Sequence, residues 1–309
     1  MAEHLKLKHE VKERPLSDWS TIAVELLGSQ TRIVQGPKWH HRVLEMGDGP
    51  PLFLYHGIGG HVDTYARTLP QLAKHFHVYA VDALFHGFSS KDGIDRPHMS
   101  VQQAAGFVDL LDALGYEKAH YEGESMGASI GFEIGMRYPE RVNKIILNGM
   151  GNIQTKRTEW KEQPFKGNLF ELSRAAVADP SYENIHKRLL WLVHNDDAIN
   201  EEMIRIRQRL YMVPEVNESM RRVFGMTPET EGMIGTGATP YTEEEVKERW
   251  KTDTLVMYGE FNPGRGPDYG EYCADLLGAK FYEVKGTGHW PQWEKPDEYS
   301  EALLSYLMD

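Results

Sequence analysis

The chain has 309 residues, 40% of them apolar and 11% aromatic, enough to bury a large core in one α/β domain with an insertion. Its net charge of -12 argues against nucleic acid or an anionic membrane as a partner. The single cysteine, Cys273, excludes an internal disulfide and gives no sign of a secreted scaffold. The charged stretch Met1 to Arg14 lacks a signal-peptide core, and no apolar run is long enough to span a bilayer. A soluble cytoplasmic protein is therefore expected.

Residues 1–30 read as an arm with a short helix, Trp19 to Leu27. Thr31 to Val34 and His41 to Glu45 suit an opening hairpin. Short apolar runs follow at Pro51 to Tyr55, Val78 to Val81, Ala119 to Glu122, Val142 to Leu147, Thr254 to Tyr258 and Phe281 to Val284. Helical stretches stand between them: Asp63 to Lys74, Val101 to Leu114, Ala128 to Tyr138, Tyr269 to Leu277 and Pro296 to Leu307. This alternation predicts a mostly parallel sheet with helices on both faces, an α/β fold. From about Asn152 to Arg249 the alternation stops. The chain there is polar and helix-like, with no convincing strand and with helices expected at Leu169 to Ala178, Tyr182 to Val193 and Glu201 to Tyr211. The organisation expected is a core in two parts, 1–151 and 250–309, interrupted by a helical cap at 152–249. Such a cap either excludes water and contacts substrate or is a helical excursion without that role.

Gly123-Glu124-Ser125-Met126-Gly127 lies where a strand runs into a helix. Glycines flanking a serine at such a junction permit the strained turn that lifts the hydroxyl out of the sheet, at a helix N-terminus that favours a nearby oxyanion. Acyl chemistry also needs two N–H donors for that oxyanion. Met126 supplies one, and the loop His56-Gly57-Ile58-Gly59-Gly60 supplies the other, from Ile58 or else Gly59. A serine needs a base. His289, within Gly286-Thr287-Gly288-His289-Trp290 after the last strand, has the right place in the chain. The third partner is irregular. A carboxylate is expected after Thr254 to Tyr258, but Asn262 stands there. Asn262 is favoured by position as the residue orienting His289, with Glu260 next and Asp268 as a third choice. An amide orients a histidine without stabilising the imidazolium by charge. Glu124 either points into the pocket and raises the pKa of His289 or faces away. Asp82 is expected to hold the loop Phe85 to Ser89.

These residues resemble the α/β-hydrolase superfamily from about His41 to Leu307. The segments Asp179 to Ile185, Leu189 to Asp196 and Ile199 to Arg207, with the tail Gly288 to Glu294, are similar to meta-cleavage-product hydrolases. Those enzymes cleave a C–C bond in vinylogous 1,5-diketones. The resemblance implies Ser125 as nucleophile, His289 as base, Asn262 in the acid position, and Met126 and Ile58 as oxyanion hole. It places Arg207 on the substrate carboxylate, against the alternative of a solvated helix face shared with Arg205 and Arg209. Trp290 and Trp293 would wall the pocket or pack on the last helix, and Glu124 would border the substrate. No cofactor or metal is implied. The partner is a small molecule, and a homo-oligomer stays open. Glu124, His61 and Asn262 depart from the family, which usually has asparagine, proline and aspartate at these places. The resemblance implies C–C hydrolysis, with an esterase or lactonase as the alternative. A ligand-binding receptor with vestigial catalysis is a third reading, which Asn262 would suit.

Overall fold

Alternation of side chains in the apolar runs sends Phe53 and Tyr55 into one buried cluster and Leu52 and Leu54 into another. A strand buried on both faces belongs in the middle of a covered sheet. The computed structural model shows that sheet and describes residues 1–151, 153–157, 159–163, 166–233, 235, 237 and 241–309. Its strands are β1 (Glu3–His4), β2 (Gln30–Gln35), β3 (His40–Met46), β4 (Pro51–Tyr55), β5 (His77–Val81), β6 (Ala119–Glu124) and β7 (Val142–Asn148). The short strands β8 (Ile153–Gln154), β9 (Glu162–Gln163) and β10 (Tyr241–Thr242) stand apart, followed by β11 (Asp253–Gly259), β12 (Gly264–Arg265) and β13 (Lys280–Val284).

The large sheet has nine strands in the order β1-β13-β11-β7-β6-β4-β5-β3-β2. All neighbours are parallel except β2 with β3 and β3 with β5. One face is covered by the helices Met99–Leu114, Met126–Arg137 and Pro267–Leu277. The other is covered by Leu69–Leu72 and Pro296–Leu307. The register pairs Tyr55 with Gly123. It therefore brings the loop after β4 beside the turn after β6.

The opening hairpin of β2 and β3 follows the sequence reading, but several elements differ. The expected helix Asp63 to Lys74 is two pieces, a 3-10 turn at Val62–Tyr65 and the helix Leu69–Leu72. Pro70 lacks an N–H and blocks the turn before it, so one continuous helix cannot pass. The leading helix is only Ile22–Glu25, capped by Thr21. Ahead of it, the arm adds β1 to the sheet edge, with Glu3 opposite Lys280.

The expectation of no strand between about Asn152 and Arg249 is corrected. β8 pairs in parallel with β10, and β9 pairs antiparallel with β12. Two-residue strands leave no periodic signal, because tertiary pairing alone creates them. The boundary expected at Asn152 lies outside the described residues. Helices occur at Leu169–Ala178, Tyr182–Leu190, Glu201–Met212, Pro214–Val223 and Glu243–Arg249. Asn168, Ser181 and Asn200 cap the first three by accepting backbone N–H bonds. The first four pack on one another and reach the loops at the carboxyl ends of the strands through Arg188, Arg207 and Leu192. Among the described residues no helix is long and apolar enough to cross a membrane.

Candidate active site

Ser125 sits at φ +56° and ψ -107°, one of two non-glycine residues with positive φ among those described. Such a conformation costs on the order of 1–3 kcal/mol and persists only where its surroundings impose it. Here they do. The Ser125 N–H donates to the Asn148 carbonyl at 2.7 Å, and the Ser125 carbonyl accepts from Ser129 at 3.0 Å. A Cβ at Gly127 would overlap the Tyr55 carbonyl oxygen, and one at Gly123 would overlap the Gly127 backbone. The turn therefore requires both glycines, and it starts the Met126–Arg137 helix with Met126 as its first residue.

His289 follows β13 and is 6% exposed. Its Nδ1 lies 2.6 Å from Asn262 Oδ1. The Asn262 amide nitrogen donates to the Arg265 carbonyl at 2.9 Å and the Pro263 carbonyl at 3.3 Å. That pattern turns the amide oxygen toward the ring and puts the proton on Nδ1. Asn262 thus occupies the orienting position, and the other two candidates are engaged elsewhere. Glu260 accepts the Gly286 N–H at 2.9 Å. Asp268 accepts the Lys161 N–H at 3.0 Å.

Glu124 points inward. Its Oε1 is 3.1 Å from His289 Nε2, yet lies off the line of a hydrogen bond and has no other partner. Its Oε2 accepts the Gly57 N–H at 2.8 Å. Gly57, Ile58, Gly60, Glu124, Ser125, Leu169, Arg188, Leu192, His289 and Trp290 line one cavity of about 10 Å³, room for about one water molecule. The arrangement holds a strained hydroxyl, an oriented imidazole, a carboxylate and a glycine-rich loop around one small space.

The profile describing the alpha/beta hydrolase fold matches residues 50–296. The chain belongs to this family. It is an enzyme of the hydrolase class, and its relatives carry such names. A 2-hydroxy-6-oxo-6-phenylhexa-2,4-dienoate hydrolase of Comamonas testosteroni is 27% identical over 275 residues, covering 85% of this chain and 89% of the relative. The solved enzyme of that name from Rhodococcus sp. strain RHA1 superposes with a TM-score of 0.74 at 22% identity, over 91% of this chain and 100% of the other. A carboxylesterase from Bacillus subtilis shares the fold with a TM-score of 0.71 at 19% identity, over 93% and 95% of the two chains.

In this hydrolase Arg207 is fully buried but stands outside the cavity lining. Its Nη1 donates to the Gly59 carbonyl at 2.6 Å, so it braces the glycine-rich loop after β4. Nor is it on a solvated face, unlike its exposed helix neighbours Arg205 and Arg209. Arg188, which the sequence reading passed over, does face the cavity. Its Nη2 donates to the Ile58 carbonyl at 2.8 Å, while Nε and Nη1 have no partner among the described residues. Burial pushes its guanidinium down to about 10. Only its place in an amphipathic helix, on the apolar side next to Leu189, could have marked it beforehand. Trp290 lines the cavity as expected. Trp293 instead packs under Arg67 and donates to the Ala198 carbonyl at 2.7 Å. Asp82 accepts the Phe88 N–H at 3.0 Å and the Val62 N–H at 3.1 Å, holding its loop as expected.

Two more carboxyls support the hydrolase site. Glu294 accepts N–H bonds from His194, Asn195 and Gly288, tying the loop of His289 to the segment after Tyr182–Leu190. Burial pushes its pKa up to about 7, against the pull of those amides. Glu122, on β6, accepts the Tyr299 hydroxyl at 2.6 Å. Burial pushes it up to about 8. A carboxyl whose folded pKa exceeds its unfolded one adds stability at low pH and loses it as pH rises through the folded pKa. Glu122→Gln removes this dependence. Its melting temperature should rise relative to wild type between about pH 5 and about pH 8. Melting curves across that range test this, and two parallel pH profiles would contradict it.

Proposed function

We propose that this protein is a serine-type hydrolase that cleaves a C–C bond in a small vinylogous diketone or related carbonyl compound. The observation that carries the reading is the strained Ser125 sharing one small cavity with an oriented His289. The naming of its relatives supports the substrate class. In this mechanism His289 moves a proton so that the dienol becomes the ketone. Ser125, or a water it orients, then adds to the carbonyl carbon, its proton passing to His289 Nε2 and the carbonyl electron pair to oxygen. The N–H groups of Met126 and Ile58 hold that oxyanion. The oxyanion pair re-forms the carbonyl as the C–C bond breaks, its electron pair going to the leaving carbon, which the neighbouring unsaturated acid stabilises and His289 reprotonates. Where Ser125 attacked, a water activated by His289 then hydrolyses the acyl–Ser125 ester and the proton returns to Ser125 Oγ. The helices over the site act as its lid and move apart to admit substrate, since the cavity as it stands has room for about one water.

Mixing the enzyme with 2-hydroxy-6-oxo-6-phenylhexa-2,4-dienoate should bleach its visible absorbance. Dye release from a nitrophenyl ester with no bleaching would favour the esterase that shares this fold. Absence of both activities, with a ligand still raising the melting temperature, would favour a receptor.

Arg188 is proposed as the group that meets a substrate carboxylate, because its two unpaired N–H positions are buried beside the cavity. Arg207 is instead proposed to act only through the loop it supports. Arg188→Ala should therefore raise KM for carboxylate substrates by about tenfold or more over neutral esters. Arg207→Ala should reduce both substrate types alike. Steady-state kinetics on the two types separate these outcomes.

A further inference from the structure

The reading above leaves one step without its usual electrostatic support. When His289 accepts the Ser125 proton it becomes an imidazolium, and Asn262 offers it only an amide oxygen. We infer that Glu124, the residue before the nucleophile, supplies the missing negative charge, from the Nε2 side of the ring rather than the Nδ1 side.

The geometry carries this. Glu124 is fully buried, so its charge acts with little screening by water. Its Oε2 is fixed by the Gly57 N–H at 2.8 Å, which holds the carboxyl in the cavity. Its Oε1 rests 3.1 Å from Nε2 but off the ring N–H direction. It therefore attracts a protonated ring without filling the direction along which Nε2 takes up or gives back a proton. With the Nδ1 proton already committed to Asn262, a bare Nε2 lone pair facing a carboxylate would be repelled, whereas an imidazolium there is welcome. No proton moves to or from Glu124 in this role. The proton leaves Ser125 Oγ for Nε2 as the Oγ–C bond forms, and Glu124 stays a carboxylate throughout. Glu124 is a positioning and charge-balancing residue. The other charged or titratable groups facing it are Arg188 from the helix above, Glu122 on its own strand, and Tyr65 and Tyr299 from the opposite side.

The inference rests on the proposed serine chemistry but not on any substrate. The test therefore uses the rate at which a fluorophosphonate labels Ser125. Glu124→Gln, which retains an oxygen for the Gly57 N–H, should label about 100-fold more slowly. Glu124→Asn should slow by a similar factor, and adding Asn262→Asp should recover the rate to within about tenfold of wild type, because the charge returns on the other side of the ring. Asn262→Asp alone places two carboxylates on one imidazole. It should move the midpoint of the labelling rate against pH upward by about one unit or more. Labelling of Glu124→Gln within about threefold of wild type, no recovery in the double variant, or an unmoved midpoint in Asn262→Asp would each overturn the role. If the double variant does not fold, Glu124→Gln and Asn262→Asp still decide. A wild-type protein that never labels refutes the serine reading itself, and the role of Glu124 falls with it.

Discussion

His289→Ala should lower turnover by about 10⁴- to 10⁶-fold, the loss seen when a nucleophile–base unit is broken. Neither Asn262, which has no basic atom to offer, nor Arg188, which holds its protons with a pKa of about 10, can take its place. Ser125→Ala should cost a similar factor. The double variant should be no worse than either single one, because the two side chains act in one step and their losses do not add. The fold should survive both changes. Ser125 contributes strain rather than contacts at its turn, and His289 lies at the cavity edge. The measurement is kcat/KM on the dienoate and on a nitrophenyl ester, with a melting curve for each variant. Retention of more than about one hundredth of the activity in His289→Ala would mean that the imidazole is not the base.

Gly127→Ala should destabilise the protein by more than about 3 kcal/mol or leave it insoluble. Its added methyl would meet the Tyr55 backbone oxygen, and backbone at the centre of a covered sheet cannot give way. Tyr55 is held on both sides, by β5 through Val81 and by β6 through Gly123. The Gly127 carbonyl is also fixed, accepting the Tyr121 hydroxyl at 2.7 Å. Gly151→Ala is the matched control. A Cβ there meets nothing within 4 Å and its backbone is outside the left-handed region, so the change should stay within about 0.5 kcal/mol. Chemical denaturation of the two variants compares them directly. Equal stabilities would show that the helix after the nucleophile can shift away from β4 without cost.

Much of this molecule was legible in its residues for a simple reason. Features set by local rules are written locally. The runs Pro51 to Tyr55 and Ala119 to Glu122 state their own period and burial. Asn168, Ser181 and Asn200 mark helix starts by accepting first-turn N–H bonds. The glycines around Ser125 record a turn whose backbone excludes side chains. Position in the chain was enough to choose His289 among 14 histidines and to put Asn262 beside it, because both follow the ends of parallel strands. Features set by distant partners were not legible. The pairs β8 with β10 and β9 with β12 exist only because remote segments meet. Arg188 and Arg207 share a helical, basic context in the sequence, and neither says which one reaches the cavity and which one supports Gly59. The direction of Glu124 was open for the same reason. The last residue of a strand can turn to either side, and the Gly57 amide, 67 positions away, turns it toward His289. Local propensity thus wrote the scaffold and the order of its site residues into the chain, while long-range hydrogen bonds between buried groups chose which charges face the cavity.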